Sequence, residues 1–218
     1  DYARRQMRWI RDNMASRNIK FVMHLGDFQN PGNPYYASTT NPYAPDTTRP
    51  TNFVTNDDDI RYRRADSMLD ILDNNNIPYS VVPGNHDVRW WRAPLGLGSM
   101  EAMLEDFRTY IDPDIEPVLR VDGVTLVGIN TAQGVTGRTL TWNLRDISII
   151  GDVRKSQIEQ ARKEFAKSPP DDARVIVMHH NPVRGELSQR HGLKHTKQVL
   201  GAFAGIGVDL VLCGRVHQ

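Results

Sequence analysis

Four short apolar runs, at residues 21–25, 79–82, 175–178 and 209–213, alternate with segments of helical period, and each is followed at once by a polar cluster. The clusters are Gly26-Asp27, Gly84-Asn85-His86-Asp87, His179-His180-Asn181-Pro182 and Gly214-Arg215-Val216-His217. Strands alternating with helices argue for an α/β domain with a largely parallel sheet. The carboxyl ends of strands in such a sheet share one edge, so four clusters in four strand-end positions predict one crevice.

The helices show in the spacing of apolar residues. Ala3, Met7, Ile10 and Met14 form one stripe, and Ala65, Met68, Leu69 and Leu72 mark a second helix over residues 60–74. Ile158, Ala161 and Phe165 mark a third; Val199, Leu200 and Phe203 mark a fourth, with Thr196 as its N-cap and its end near Gly205 to Gly207. Residues 118–121 and 124–129, joined by Asp122-Gly123, read as an antiparallel hairpin. Residues 29–59 carry five prolines and no period, which predicts a long irregular loop leaving the crevice rim. No linker divides the chain, so residues 1–218 read as a single domain.

Composition narrows the function. With 27 Lys+Arg against 26 Asp+Glu the formal charge is +1, which gives no strong nucleic-acid signal. No apolar run has the length of a membrane span. A single cysteine, Cys213, rules out an internal disulfide and a cysteine-based zinc site, and its place at a strand end predicts a small core residue. The clusters instead gather Asp, Asn and four of the seven histidines, oxygen and imidazole donors that suit Mn, Fe, Zn or a similar ion. His24, inside a strand, reads as a satisfied core side chain. Trp90 and Trp91 follow the second cluster and either wall a pocket or anchor a core; Arg92 and Arg184 are candidates for a substrate phosphate, and His191 and His195 are loop residues.

The order GD, GNHD, His-x-Pro and a terminal G-x-x-H, each behind a strand, resembles the calcineurin-like metallophosphoesterase superfamily, and HHNPVRG and VDLVLCGRVHQ resemble its bacterial small phosphodiesterases. The resemblance implies an α/β fold, a β-sandwich of mixed sheets flanked by helices, and hydrolysis of a small phosphoester by water activated at two divalent ions such as Mn, Fe or Zn. By resemblance Asp27 bridges the two ions, Asn85 and His180 bind the second, and His217 binds the first. His180 is preferred to His179 because Pro182 fixes the His-x-Pro count; His179 then packs behind the site, with a substrate or displaced-ligand position as its alternative. His86 stands outside the ligand shell as a proton donor or phosphoryl contact, oriented by Asp87.

Two departures accompany the resemblance. The family's opening Asp-x-His strand is missing, and Asp1 already begins a helix, so the sequence predicts a domain cut at both ends. The family's last motif, Gly-His-x-His, has Arg215 at its first histidine. A guanidinium has no lone pair to offer, which puts the second metal in question and makes Arg215 a substrate-site candidate. The competing readings are a non-catalytic binding scaffold and a nuclease. The sequence alone fixes neither compartment nor oligomeric state.

Overall fold

The computed structural model describes residues 2–28, 56–88, 100–133, 150–183 and 192–214. In chain order these form α1 (Tyr2–Asn13), β1 (Val22–His24), α2 (Asn56–Asp73), β2 (Tyr79–Val81), α3 (Met100–Met103), α4 (Glu105–Tyr110), β3 (Val118–Val121), β4 (Val124–Ile129), α5 (Lys155–Phe165), β5 (Ala173–Met178), α6 (Thr196–Gly205) and β6 (Leu210–Cys213).

The strands form two sheets, the sandwich that the family resemblance implied, where alternation alone suggested a largely parallel sheet. β1 and β2 pair in parallel; the other sheet has the order β3-β4-β5-β6, with β3 antiparallel to β4 and the rest parallel. Side chains on a strand point alternately to opposite faces, and this alternation sorts the core into three zones. Met23, Leu25 and Val82 on one sheet meet Leu126, Val175, Val177 and Leu212 on the other, forming the sandwich interior. Val22, Tyr79 and Val81 face outward onto Met7, Leu72 and Phe107 of the first helical layer. Ile176, Met178 and Val211 face the opposite layer, where Ala161, Phe165, Val199 and Phe203 of α5 and α6 cover them. The result is a helix–sheet–sheet–helix stack, an α/β sandwich with one mixed sheet. Each large side chain fully buried in it, such as Leu72 or Phe165, contributes about 2 kcal/mol through removal from water.

The hairpin is present, with Val121 opposite Val124 across Asp122-Gly123. Only Gly123 takes a positive φ, 79°, so the turn needs one left-handed residue rather than two. α2 begins at Asn56, four residues before the apolar period starts. Thr196 is the first residue of α6 and not its cap: His195 occupies the cap at φ 54°, and the Thr196 hydroxyl donates backward to the Leu193 carbonyl. Residues 29–55 of the proline-rich segment lie outside the described residues.

Candidate metal centre

The strand ends of both sheets meet. β1 runs into Leu25-Gly26-Asp27 and β2 into Gly84, and these two turns touch backbone to backbone. A β-carbon on Gly26 would lie 2.9 Å from His179 Nδ1 and closer still to the Gly84 backbone. One on Gly84 would lie 2.8 Å from Asp27 Cγ and closer still to its Oδ1 and N. Gly214, at the end of β6, abuts the same place: a β-carbon there would be 2.9 Å from the Leu25 carbonyl and 3.4 Å from His179 Nδ1.

Asp87 ties the turns together. Its Oδ2 accepts from the backbone N–H of Asp27 at 2.9 Å and of Gly84 at 2.8 Å, and the side chain is fully buried. Charge-assisted bonds of this kind are among the stronger ones a fold makes. Asp27 itself sits in the left-handed region at φ 60°, and its Oδ1 accepts from the His86 backbone N–H at 3.0 Å. In the short 3-10 turn Asn85–Asp87, Asn85 and Asp87 are buried and His86 is partly exposed.

The second sheet supplies two adjacent histidines that diverge. His179 continues the row of Val175 and Val177 into the sandwich interior, whereas His180 continues the row of Ile176 and Met178 toward the helices. His179 Nδ1 lies 2.6 Å from the Leu25 carbonyl, which can only accept, so Nδ1 carries a proton and Nε2 is the ring nitrogen left to face the cluster. That nitrogen is 3.3 Å from Asp27 Oδ2 and 3.2 Å from Asn85 Oδ1. His180 instead meets Thr131: the Thr131 hydroxyl accepts from the His180 backbone N–H at 3.2 Å and donates to Nδ1 at 2.8 Å. The His180 ring also packs on Gly151, where a β-carbon would lie 2.7 Å from its Cβ. The structure therefore brings together Asp27, Asn85 and His179, with His86 and Asp87 beside them, and turns His180 to the other face. Arg215, His217, Trp90, Trp91, Arg92, Arg184 and His191 lie outside the described residues, and His195 is exposed at the start of α6.

Three lone-pair atoms from three strand ends thus face one another with side-chain exposures of 15% for Asp27 and 2% for His179. A carboxylate, an amide oxygen and an imidazole nitrogen with its second nitrogen already bonded form a donor set that fits a divalent ion with mixed oxygen and imidazole ligands. The carbonyl bond to Nδ1 is also the arrangement that orients a ligating histidine. Among the described residues no group of three or more His, Cys, Asp or Glu side chains forms such a site; Asp27 and His179 contribute two, and the Asn85 amide is the third donor.

His24 is not the satisfied core residue expected from sequence. Its Nδ1 is buried with no hydrogen-bond partner, its ring stacks on Phe28 with centroids 3.9 Å apart, and burial pushes its pKa from 6.5 down to about 4. A base with a lowered folded pKa charges more readily in the unfolded chain. Its contribution is therefore complete above pH 6.5 and is lost as pH falls toward 4, by about 3 kcal/mol in total. Urea unfolding at pH 7.5 and 4.5 should show this loss in the native sequence and not in His24→Leu; parallel pH profiles would contradict it. Cys213 is half-buried beside the α5/α6 core, and burial pushes its thiol pKa up, in keeping with a packing role.

A family model described as calcineurin-like phosphoesterase matches residues 1–218. The chain belongs to this family of metal-dependent phosphoester hydrolases. It is also 34% identical over 85 residues to the uncharacterized protein YvnB of Bacillus subtilis (strain 168). That match covers 38% of this chain and 5% of YvnB, so the chain corresponds to a small part of that protein. Among the described residues no helix is long and apolar enough to cross a membrane.

Proposed function

We propose that the chain is a phosphodiesterase domain, spanning residues 1–218, that hydrolyses a small phosphodiester at a divalent-metal centre. The observation that carries the reading is the meeting of Asp27 Oδ2, Asn85 Oδ1 and His179 Nε2 within 3.3 Å of the imidazole nitrogen. These three residues, joined by His217, would hold the metal, with Asp27 as the carboxylate able to serve two ions. In this reading His179 takes the place of His180 as the imidazole ligand, because His179 lies on the face of β5 turned toward Asp27 and Asn85 and His180 on the opposite face. Divalent ions bound there supply activation of water and neutralisation of phosphoryl charge.

The remaining work falls to the chain's own side chains. His86 lies partly exposed on the Asn85–Asp87 turn, and its ring would donate a proton to the departing oxygen or to a phosphoryl oxygen. Asp87 holds the Asp27 and Gly84 turns at fixed separation. The proline-rich segment and the Trp90-Trp91 pair, which follow the Asp27 and Asp87 turns in the sequence, would shape access.

Arg215 favours a second outcome, a domain with an impaired second metal site that binds without rapid turnover. Elemental analysis beside an assay with bis(p-nitrophenyl) phosphate in Mn²⁺ separates the two. We expect fewer than two ions per chain and slow hydrolysis, with Arg215→His raising both. Two ions in the native sequence and no gain in Arg215→His would assign Arg215 to the substrate instead, and metal binding without any hydrolysis in either protein would favour the scaffold.

A further inference from the structure

Beyond the ligand cluster, the buried segment after β4 holds one donor that the fold leaves unused. Asn130 is 0% exposed. Its backbone carbonyl accepts from Gln133 Nε2 at 2.7 Å and Gln157 Nε2 at 2.8 Å, and its side-chain Oδ1 accepts from the Ala132 backbone N–H at 2.9 Å. These bonds fix the carboxamide and decide its orientation, since a flipped amide would set N–H against N–H. Nδ2 is left buried with no hydrogen-bond partner. Unpaired buried donors are rare in folded proteins and call for a specific reason.

The place of Asn130 supplies one. It extends the row of Leu126 and Gly128, the side of β4 turned toward the first sheet, and a β-carbon on Gly128 would lie 3.0 Å from Val82 Cγ1. Two residues beyond Gly128 is Asn130, and two beyond Val82 is Gly84, at the head of the Asn85–Asp87 turn. Register puts Ile129 opposite Met178, so the next pair across the sheet is Asn130 and His179. Register and face therefore place Asn130 beside His179 on the side of β4 turned toward the first sheet, with its Nδ2 unpaired.

We propose that Asn130 is a further positioning and binding residue of this centre: its Nδ2–H donates to an oxygen held beside the metal, either a phosphoryl oxygen of the substrate or a water on the cation. The inference rests on the metal-dependent reading above. Asn130→Ser keeps an oxygen for the Ala132 N–H and removes Nδ2 without adding charge, its hydroxyl hydrogen lying closer to the backbone than the amide it replaces. Two titrations by calorimetry distinguish the sources, one with Zn²⁺ alone and one with inorganic phosphate added to the zinc-loaded protein. Loss of a hydrogen bond to a charged oxygen should weaken phosphate binding about tenfold in Asn130→Ser, with thermal stability of the metal-free protein nearly unchanged. A tenfold loss in the zinc titration instead would assign the oxygen to a metal-bound water. Equal affinities in both titrations, or destabilisation of the metal-free protein as large as that of the loaded one, would overturn the proposal. Should the native sequence bind neither zinc nor phosphate, the metal-dependent reading itself fails, and that result is distinct from a variant that binds both as well as the native sequence does.

Discussion

Asp27→Asn should empty the metal centre and lower phosphodiester hydrolysis by about 10³-fold, because the several kcal/mol a metal contributes to transition-state stabilisation is lost with it. The substitution is nearly isosteric. Asparagine retains an oxygen to accept from His86 N–H, now bonded to Oδ1 at 3.0 Å, so the turn keeps its connection. What disappears is the negative charge beside His179 Nε2 and Asn85 Oδ1, the one formal charge among the three facing acceptors. Folding stability should stay within about 1 kcal/mol of the native value, since one neutral hydrogen bond replaces a charged one. Elemental analysis after dialysis, a denaturation curve and the phosphodiester assay check the three parts together. Retained metal with retained turnover would show that Asp27 is not a ligand.

Gly84→Ala should be equally severe by a different route. Gly84 has φ −97° and ψ 177°, extended backbone open to any residue, so its requirement is space. A methyl group there meets the Asp27 carboxylate and backbone, which cannot move without breaking the Asp87 bonds that hold both turns. Forced overpacking of this kind costs about 1–3 kcal/mol, and a shift of even a few tenths of an ångström misplaces Asp27 relative to Asn85. We expect a lowered denaturant midpoint and loss of bound metal together. Gly123→Ala, at the open hairpin turn where a β-carbon would meet nothing within 4 Å, should lower stability through its φ of 79° alone and leave metal content intact. Normal metal binding by Gly84→Ala would mean that the turn contact does not position the site.

Much of this site is legible in the sequence because polar residues that directly follow buried strands have few other reasons to be there. Asp27, Asn85, His86 and Asp87 belong to that class, and the structure gathers them with His179. The choice between His179 and His180 was not legible. Counting back from Pro182 favours His180, yet which histidine enters the sandwich depends on strand parity and on which face of β5 meets the first sheet, both set by packing between sheets. The division into two sheets came from the family resemblance and not from the apolar pattern, since a strand in either sheet shows the same short apolar run. The start of α2 was masked by its polar first turn, and α3 and α4 are too short to display a period. Asn130 carried no signal at all in sequence, because a carboxamide after a strand is ordinary turn chemistry until its unused donor is seen.

The central claim is that one divalent ion is held jointly by residues from β1, β2 and β5, and anomalous diffraction from zinc-soaked crystals tests it most directly. The account predicts a zinc peak at coordination distance, about 2.0–2.2 Å, from the Asp27 carboxylate, Asn85 Oδ1 and His179 Nε2, with the His180 ring still bonded to Thr131. A peak on His180, or zinc bound only at surface carboxylates away from Asp27, would contradict it.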